Sequence, residues 1–180
     1  MFTEWRRFKG WVVLEHFLRN PTTEIHVKEL ARRLNIGPLT ASSYLKSYAS
    51  EGLLRREKKA NLMLHSLMND KLLVKKLKQF YALAWLEEIG FAKTILKENP
   101  AATGIILYGT YANGEYDEHS DVDIIVFSVD DTFPKAAVAL LGKDATLSVY
   151  SLSKWRKTSA EFRAAVSKNH VVLHGAGLPM

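Results

Sequence analysis

Two aspartates separated by one valine, Asp121-Val122-Asp123, open an apolar run that continues to Phe127. Alternate residues of a strand share a face, so both carboxylates project together while Val122 turns to the core. Two carboxylates held that close repel each other unless a cation sits between them. Hard oxygen ligands at this spacing suit Mg2+, which keeps waters and phosphate oxygens in its remaining positions. Ten residues upstream (111–120 lie between) is Gly109-Thr110, directly after the apolar Ile105-Ile106-Leu107-Tyr108. A glycine at a strand end lets backbone N–H groups approach an anion. A helix start after it adds its dipole, and the threonine hydroxyl adds a donor. Asp121 and Asp123 are therefore candidate metal ligands, and Gly109 and Thr110 a candidate phosphate cradle. The plainer alternatives are a turn or cap role for Asp121, a surface ion pair for Asp123 and a helix N-cap for Thr110.

These groups need strands to hold them. The pattern predicts a strand over 105–108, a short helix over 111–113, a strand over 122–127 and a helix over 132–141. A strand over 145–150, a helix over 154–167 and an extended piece over 171–173 follow. Ahead of this half, residues 70–99 read as a long helix that is apolar on more than one side, with Gly90 as a bend or break. The N-terminal stretch predicts helices over 5–19, 27–34 and 39–50, stopped by Asn20-Pro21, Asn35-Ile36-Gly37 and Gly52. Two strands then flank the basic turn Lys58-Lys59-Ala60-Asn61. In the third helix Ala41, Leu45 and Tyr48 form the inward stripe. That leaves Thr40, Ser42, Ser43, Tyr44, Lys46 and Ser47 outward. Lys75, Lys76 and Lys78 read as a solvated helix face.

The chain has 180 residues and a net charge of +6, which allows one ordinary domain or two small ones. The charge is uneven. Residues 1–80 hold 16 Lys and Arg against 7 Asp and Glu, and residues 81–180 hold 9 against 12. A basic half joined to an acidic half implies two modules with different partners, the basic one attracting polyanions. Zero cysteines exclude disulfides, thiol nucleophiles and cysteine-based zinc sites. No apolar run approaches the ~20 residues of a membrane span, and the first residues lack the apolar core of a signal peptide. A cytoplasmic protein with no membrane partner is expected. The six histidines are scattered, without ligand spacing.

The order of elements over residues 5–68 resembles the winged helix-turn-helix regulators, carried by Val27-Lys28-Glu29-Leu30-Ala31, Leu45, Gly52-Leu53-Leu54 and the basic wing. The resemblance implies duplex DNA as partner. Thr40, Ser42, Ser43 and Lys46 on the third helix, and Arg55, Arg56, Lys58 and Lys59 on the wing, would then be the contacts. Such modules also dock proteins. Gly109-Thr110, ten residues, then Asp121-x-Asp123 resembles the minimal nucleotidyltransferases of the DNA polymerase β superfamily, closely over about 104–128. Leu173-His174-Gly175 looks like that family's module ending.

The second resemblance implies Mg2+-dependent transfer of a nucleoside monophosphate from an NTP to a protein or small-molecule acceptor, commonly a toxin-like partner protein or an antibiotic. The family's third carboxylate falls at Thr146; either Asp144, two residues earlier, serves as the catalytic acid through a shift of register, or the third acid is absent. Basic residues common after the family's Gly-Ser are here Tyr111 and Asn113. The expected architecture is α+β: a winged helix-turn-helix (1–68), a connecting helix (69–99) and a nucleotidyltransferase α/β module (100–180), with a homodimer allowed. The alternative expectation is a DNA-binding transcriptional regulator whose second module senses a nucleotide with weak or no turnover. A third is a protein that only docks other proteins.

Overall fold

The computed structural model describes residues 2–179, and side chains from Glu4 onward. The chain divides into two compact units. One runs to Tyr81 and includes Tyr116–Glu118; the other comprises Ala82–Glu115 and continues from His119.

The first unit holds α1 (Phe2–Trp5), α2 (Lys9–Arg19), β1 (Ile25–His26), α3 (Val27–Leu34), α4 (Pro38–Ser50), β2 (Leu54–Lys59), β3 (Leu62–Leu67) and the first part of α5 (Leu72–Glu88). Val13, Phe17 and Leu18 of α2, Ile25, Leu30 of α3 and Leu45 of α4 are essentially closed to solvent and make the core. The single helix expected over 5–19 is broken. Phe8 is extended and caps α2, and its ring stands edge-on to Tyr44 over the space that a side chain at Gly10 would fill. Tyr44 therefore packs against Phe8 and Tyr48 rather than facing outward. Tyr48 turns inward as expected, donating its hydroxyl to the Gly10 carbonyl at 2.7 Å. Burial pushes its phenol up to about 12.

Pro38 starts α4 behind Gly37, because proline's missing N–H is one the first turn leaves unused. The two short strands and the hairpin form an antiparallel sheet in the order β1-β3-β2. Lys78 departs from the expected solvated face. It is 2% exposed, donates to Asn69 Oδ1 at 3.1 Å and lies 4.8 Å from the centre of the Tyr116 ring. Residues 116–118 join this unit through Tyr116, whose hydroxyl donates to the Leu18 carbonyl, and Glu118, which accepts from the Thr22 N–H and hydroxyl.

The second unit continues α5 and adds α6 (Phe91–Glu98), β4 (Ala102–Tyr108), α7 (Gly109–Asn113), β5 (Val122–Ser128), α8 (Lys135–Leu141), β6 (Ala145–Tyr150), α9 (Leu152–Arg156), α10 (Ala160–Lys168) and β7 (His170–Gly175). Gly90, at φ +69, splits the expected long helix into α5 and α6, because a left-handed residue cannot continue a right-handed helix. The helix expected from Thr132 starts at Lys135. Asp130 holds Thr132 in a turn, and the Glu98 carboxylate caps α8 by accepting from Ala136 and Ala137 N–H. The helix expected over 154–167 is two, each with its own serine cap: Ser151 for α9 and Ser159 for α10.

The sheet order is β6-β5-β4-β7, with β4 antiparallel to both β5 and β7 and β5 parallel to β6. Ile106, Ile125 and Phe127 on one face pack with Trp155 and Val166. Ile105, Leu107, Ile124 and Val126 fill the other face and are wholly buried. Among the described residues no helix is long and apolar enough to cross a membrane.

Candidate functional site

The chemistry-bearing residues of the second unit meet at the end of its two central strands. β4 ends at Tyr108, and the chain turns at Gly109, φ +71, into α7. A Cβ on Gly109 would overlap Oδ2 of Asp123 and lie 3.3 Å from its Cγ. Only glycine satisfies both the backbone angle and this approach. Its absent side chain lets the Asp123 carboxylate stand directly against the backbone that begins α7. α7 has five residues, so an anion at this turn would meet the open backbone at Gly109-Thr110 more than a helix dipole.

Asp123 is half-buried in β5 between the wholly buried Val122 and Ile124. Asp121 is exposed just before the strand. Burial, and then the charge of Asp121, hold the Asp123 carboxyl above the ordinary carboxylate range. Asp123 feels the charge of Asp121, as the spacing predicts, and a cation between them would relieve that repulsion. The donor set fits Mg2+: two carboxylates at one strand end, one open to water, beside backbone free of side-chain bulk.

Paired residues of neighbouring strands project from the same face. The register therefore sets a row across the sheet: His170 on β7, Tyr108 on β4, Asp123 on β5 and Thr146 on β6. Burial, the Asp123 charge and Tyr150 together push the Tyr108 phenol up to about 12, so it stays protonated beside the acid. Thr146 stands directly opposite Asp123. Asp144 lies just outside β6, and its backbone carbonyl accepts from the Val122 N–H at 3.1 Å. Its side chain is exposed. Among the described residues no three His, Cys, Asp or Glu side chains gather as a metal site.

The sequence reading passed over Lys143, which sits between Gly142 and Asp144. Its Nζ donates to the Tyr111 hydroxyl at 2.5 Å and lies 4.8 Å from the centre of that ring. Nothing in linear spacing ties residue 143 to residue 111. The fold brings the two side chains together.

In the first unit, Thr40 and Ser42 on α4 are half-buried, while Ser43 and Lys46 are exposed. Arg55, Arg56, Lys58 and Lys59 are all exposed on β2. Strand alternation divides them, with Arg55 and Lys59 on one face and Arg56 and Lys58 on the other. Lys59 is also paired with Glu24 at 2.5 Å.

Comparison with known proteins bears on the second unit. Residues 90–171 match the family model described as the nucleotidyltransferase domain. A protein of Methanocaldococcus jannaschii, named as a candidate protein adenylyltransferase, is 32% identical over 77 residues, covering 43% of this chain and 59% of its own. The chain thus spans about three fifths of that relative. The family match and this relative support a minimal nucleotidyltransferase. Among solved structures, one described as a toxin-antitoxin with AMP-PNP is similar at 26% identity and a TM-score of 0.38, over 47% of this chain and 70% of that one. A candidate nucleotidyltransferase from Sulfolobus solfataricus is similar at 16% identity and a TM-score of 0.36, over 55% of this chain and 85% of its own.

Proposed function

We propose that this protein is a Mg2+-dependent nucleotidyltransferase that moves a nucleoside monophosphate from an NTP onto an acceptor hydroxyl, with a protein as the favoured acceptor. The observation that carries the reading is Asp123 set against the side-chain-free backbone of Gly109, with Asp121 acting on it from just before the strand. The relative's name, protein adenylyltransferase, supports ATP as donor and a protein as acceptor. Asp121 and Asp123 would hold Mg2+. When bound, the metal neutralises charge on the phosphates and the leaving group. Gly109 and Thr110 would present backbone N–H groups and a hydroxyl to phosphate oxygens. The acceptor oxygen bonds to the α-phosphorus as the α–β phosphoanhydride bond breaks and pyrophosphate leaves. The acceptor's proton passes to a base, and Asp144 is the residue proposed for it.

The reading is tested by incubating the protein with each labelled NTP, Mg2+ and cell extract. Label on a protein or small molecule, lost in Asp121→Asn/Asp123→Asn, is the expected result. No label with any NTP, together with no binding of Mg2+-ATP, would overturn it.

A second reading keeps nucleotide binding and drops turnover. It is favoured by Thr146 standing opposite Asp123, where a third carboxylate would complete the site. On this reading the second unit senses a nucleotide for a DNA-binding regulator. We propose residues 1–68 as a winged helix-turn-helix under either reading. The order α2, β1, α3, α4, β2, β3 and the sheet order β1-β3-β2 support that assignment. Duplex DNA would be met by Thr40, Ser42, Ser43 and Lys46, with Arg55, Arg56 and Lys58 tracking the backbone and Lys59 joining them once it leaves Glu24.

A further inference from the structure

The solvent side of α4 holds one large apolar side chain. The exposed positions of the helix are Pro38, Leu39, Ser43, Lys46, Ser47 and Ser50. Leu39 is 88% exposed, the highest value among the large hydrophobic residues described. The core side of the same helix is Ala41 and Leu45, both wholly buried, so Leu39 adds nothing to the core. A lone exposed leucine is ordinary in itself. What sets this one apart is its place.

Residues 39, 43, 46 and 50 follow one another by four, three and four, so they form a single stripe along the helix. Leu39 stands at its N-terminal end and Lys46 about 10 Å further along the axis. Helical side chains lean toward the N-terminus, so Leu39 leads the stripe. α4 packs against α3 and β2. Lys28 and Arg32 on α3, and Arg55, Arg56 and Lys58 on β2, are exposed. An apolar tip among cations complements a polyanion that also displays an apolar group. It complements a protein poorly. A stable protein interface needs about 800 Å2 on each side around an apolar centre, and this stripe offers one leucine beside Pro38 in a row of serines and a lysine.

Duplex DNA displays one apolar substituent on its base edges in the major groove, the C5-methyl of thymine. The groups that otherwise distinguish the bases there are hydrogen-bond donors and acceptors. A leucine side chain can answer none of those, and it can pack on the methyl. A recognition helix meets base edges with its N-terminal residues, and Leu39 is the second residue of α4. We propose that Leu39 is the specificity-determining residue of the first unit, reading the 5-methyl group of a thymine in the major groove, with Lys46 two turns behind it on a phosphate. The inference rests on the winged helix-turn-helix and duplex-DNA reading above.

The test begins with the full-length protein selecting from a random-sequence duplex library. The enriched duplex is then compared, by fluorescence anisotropy, with the same duplex carrying uracil in place of each thymine of the selected motif, which removes only the methyl groups. Wild type should bind the uracil duplex about three- to tenfold more weakly, the worth of one methyl group taken out of water. Leu39→Ala should bind the two duplexes equally, and Lys46→Ala should weaken both by the same factor. Melting curves check that Leu39→Ala is folded, as expected for an exposed position. Wild-type binding that does not distinguish thymine from uracil, or no enriched motif despite binding, overturns this inference and leaves the DNA reading standing. Leu39→Ala that still distinguishes them overturns it too. A wild-type dimer in sedimentation that Leu39→Ala dissociates makes the leucine a contact between copies, with the same consequence. Wild type that binds no duplex at low salt brings down the DNA reading and this inference together.

Discussion

The strands β2 and β5 hold charged residues under opposite conditions. In β2, Leu54 is buried and the five residues after it, Arg55 to Lys59, are all exposed. In β5 every residue is buried except Asp123, which is half-buried. A charge on an exposed strand costs little, so its presence there says little about function. A carboxylate let into a buried strand loses hydration and needs a compensating partner. The single acid of β5 is therefore far more informative than the four cations of β2. Its raised pKa is the same fact expressed as an equilibrium: burial and Asp121 both resist ionisation.

That contrast can be broken by mutation, and the largest effect belongs to β5. Asp121→Asn/Asp123→Asn should abolish Mg2+-dependent ATP binding by calorimetry while leaving the melting temperature equal or slightly higher, since two mutually repelling charges are removed. Undiminished Mg2+-ATP binding would make Asp123 an ordinary buried acid. Next is the row across the sheet. Thr146→Asp should raise transfer by up to the ~10²–10⁴-fold worth of general base catalysis, provided Asp144 is not already the base. If Asp144 is the base, Asp144→Asn abolishes transfer and Thr146→Asp does little. Transfer that is indifferent to both substitutions would remove the base from this edge of the sheet.

Smaller effects sharpen the comparison in stability and binding. Ile125→Ala should cost about 2–5 kcal/mol in urea denaturation, as a cavity in the centre of the sheet. Lys58→Ala should stay within about 0.5 kcal/mol. Alanine at Arg55, Arg56, Lys58 and Lys59 together should flatten the salt dependence of duplex DNA binding, by about 0.9 in log–log slope for each phosphate that is no longer neutralised. An unchanged slope would turn β2 from a DNA-tracking strand into a solvated one.

The smallest expected effect is on pH. His65 lies opposite Arg56 in the β2–β3 pair and is 3% exposed. Burial, and then the Arg56 charge, hold its imidazole below the ordinary value. His16 is lowered by burial and Arg33 in the same direction. The unfolded chain then takes up protons first as pH falls below about 6.5. Stability should be full at neutral pH and decline below that point. Replacing His65 with Gln should shrink the loss in melting temperature between pH 7.5 and pH 5.5.

The sequence exposed those parts of the molecule that repeat at short range. The apolar runs at 105–108 and 122–127 are strands because every residue in them has a hydrophobic reason to be inside. Gly109 and Asp121-Val122-Asp123 were visible because their residue types are costly in those places. Helix ends were harder. Gly90 was visible as a break, but the stops after Trp5 and Arg156 depend on Phe8 packing on Tyr44 and on serine caps at 151 and 159. Lys78 misled for a related reason. Its spacing beside Lys75 and Lys76 is that of a solvated face, and only the Asn69 amide and the Tyr116 ring, distant in sequence, make it a buried cation. Lys143 escaped because Tyr111, which its ammonium meets, is distant in sequence and no local pattern relates the two.

The sheet order also constrains how the second unit is assembled. β4 lies between β5, which follows it closely in the chain, and β7, which is reached only after residues 109–169. During synthesis the β4–β5 pair is available early, while one long side of β4 has no partner. That side carries Ile105, Ile106 and Leu107, an uncharged apolar edge of the kind that recruits other chains. A nascent chain that stalls after α10 therefore has its core in place and its edge open, and aggregation competes with completion until His170–Gly175 arrives. A truncation at residue 168 should reproduce that state as a protein that is made but collects in the insoluble fraction.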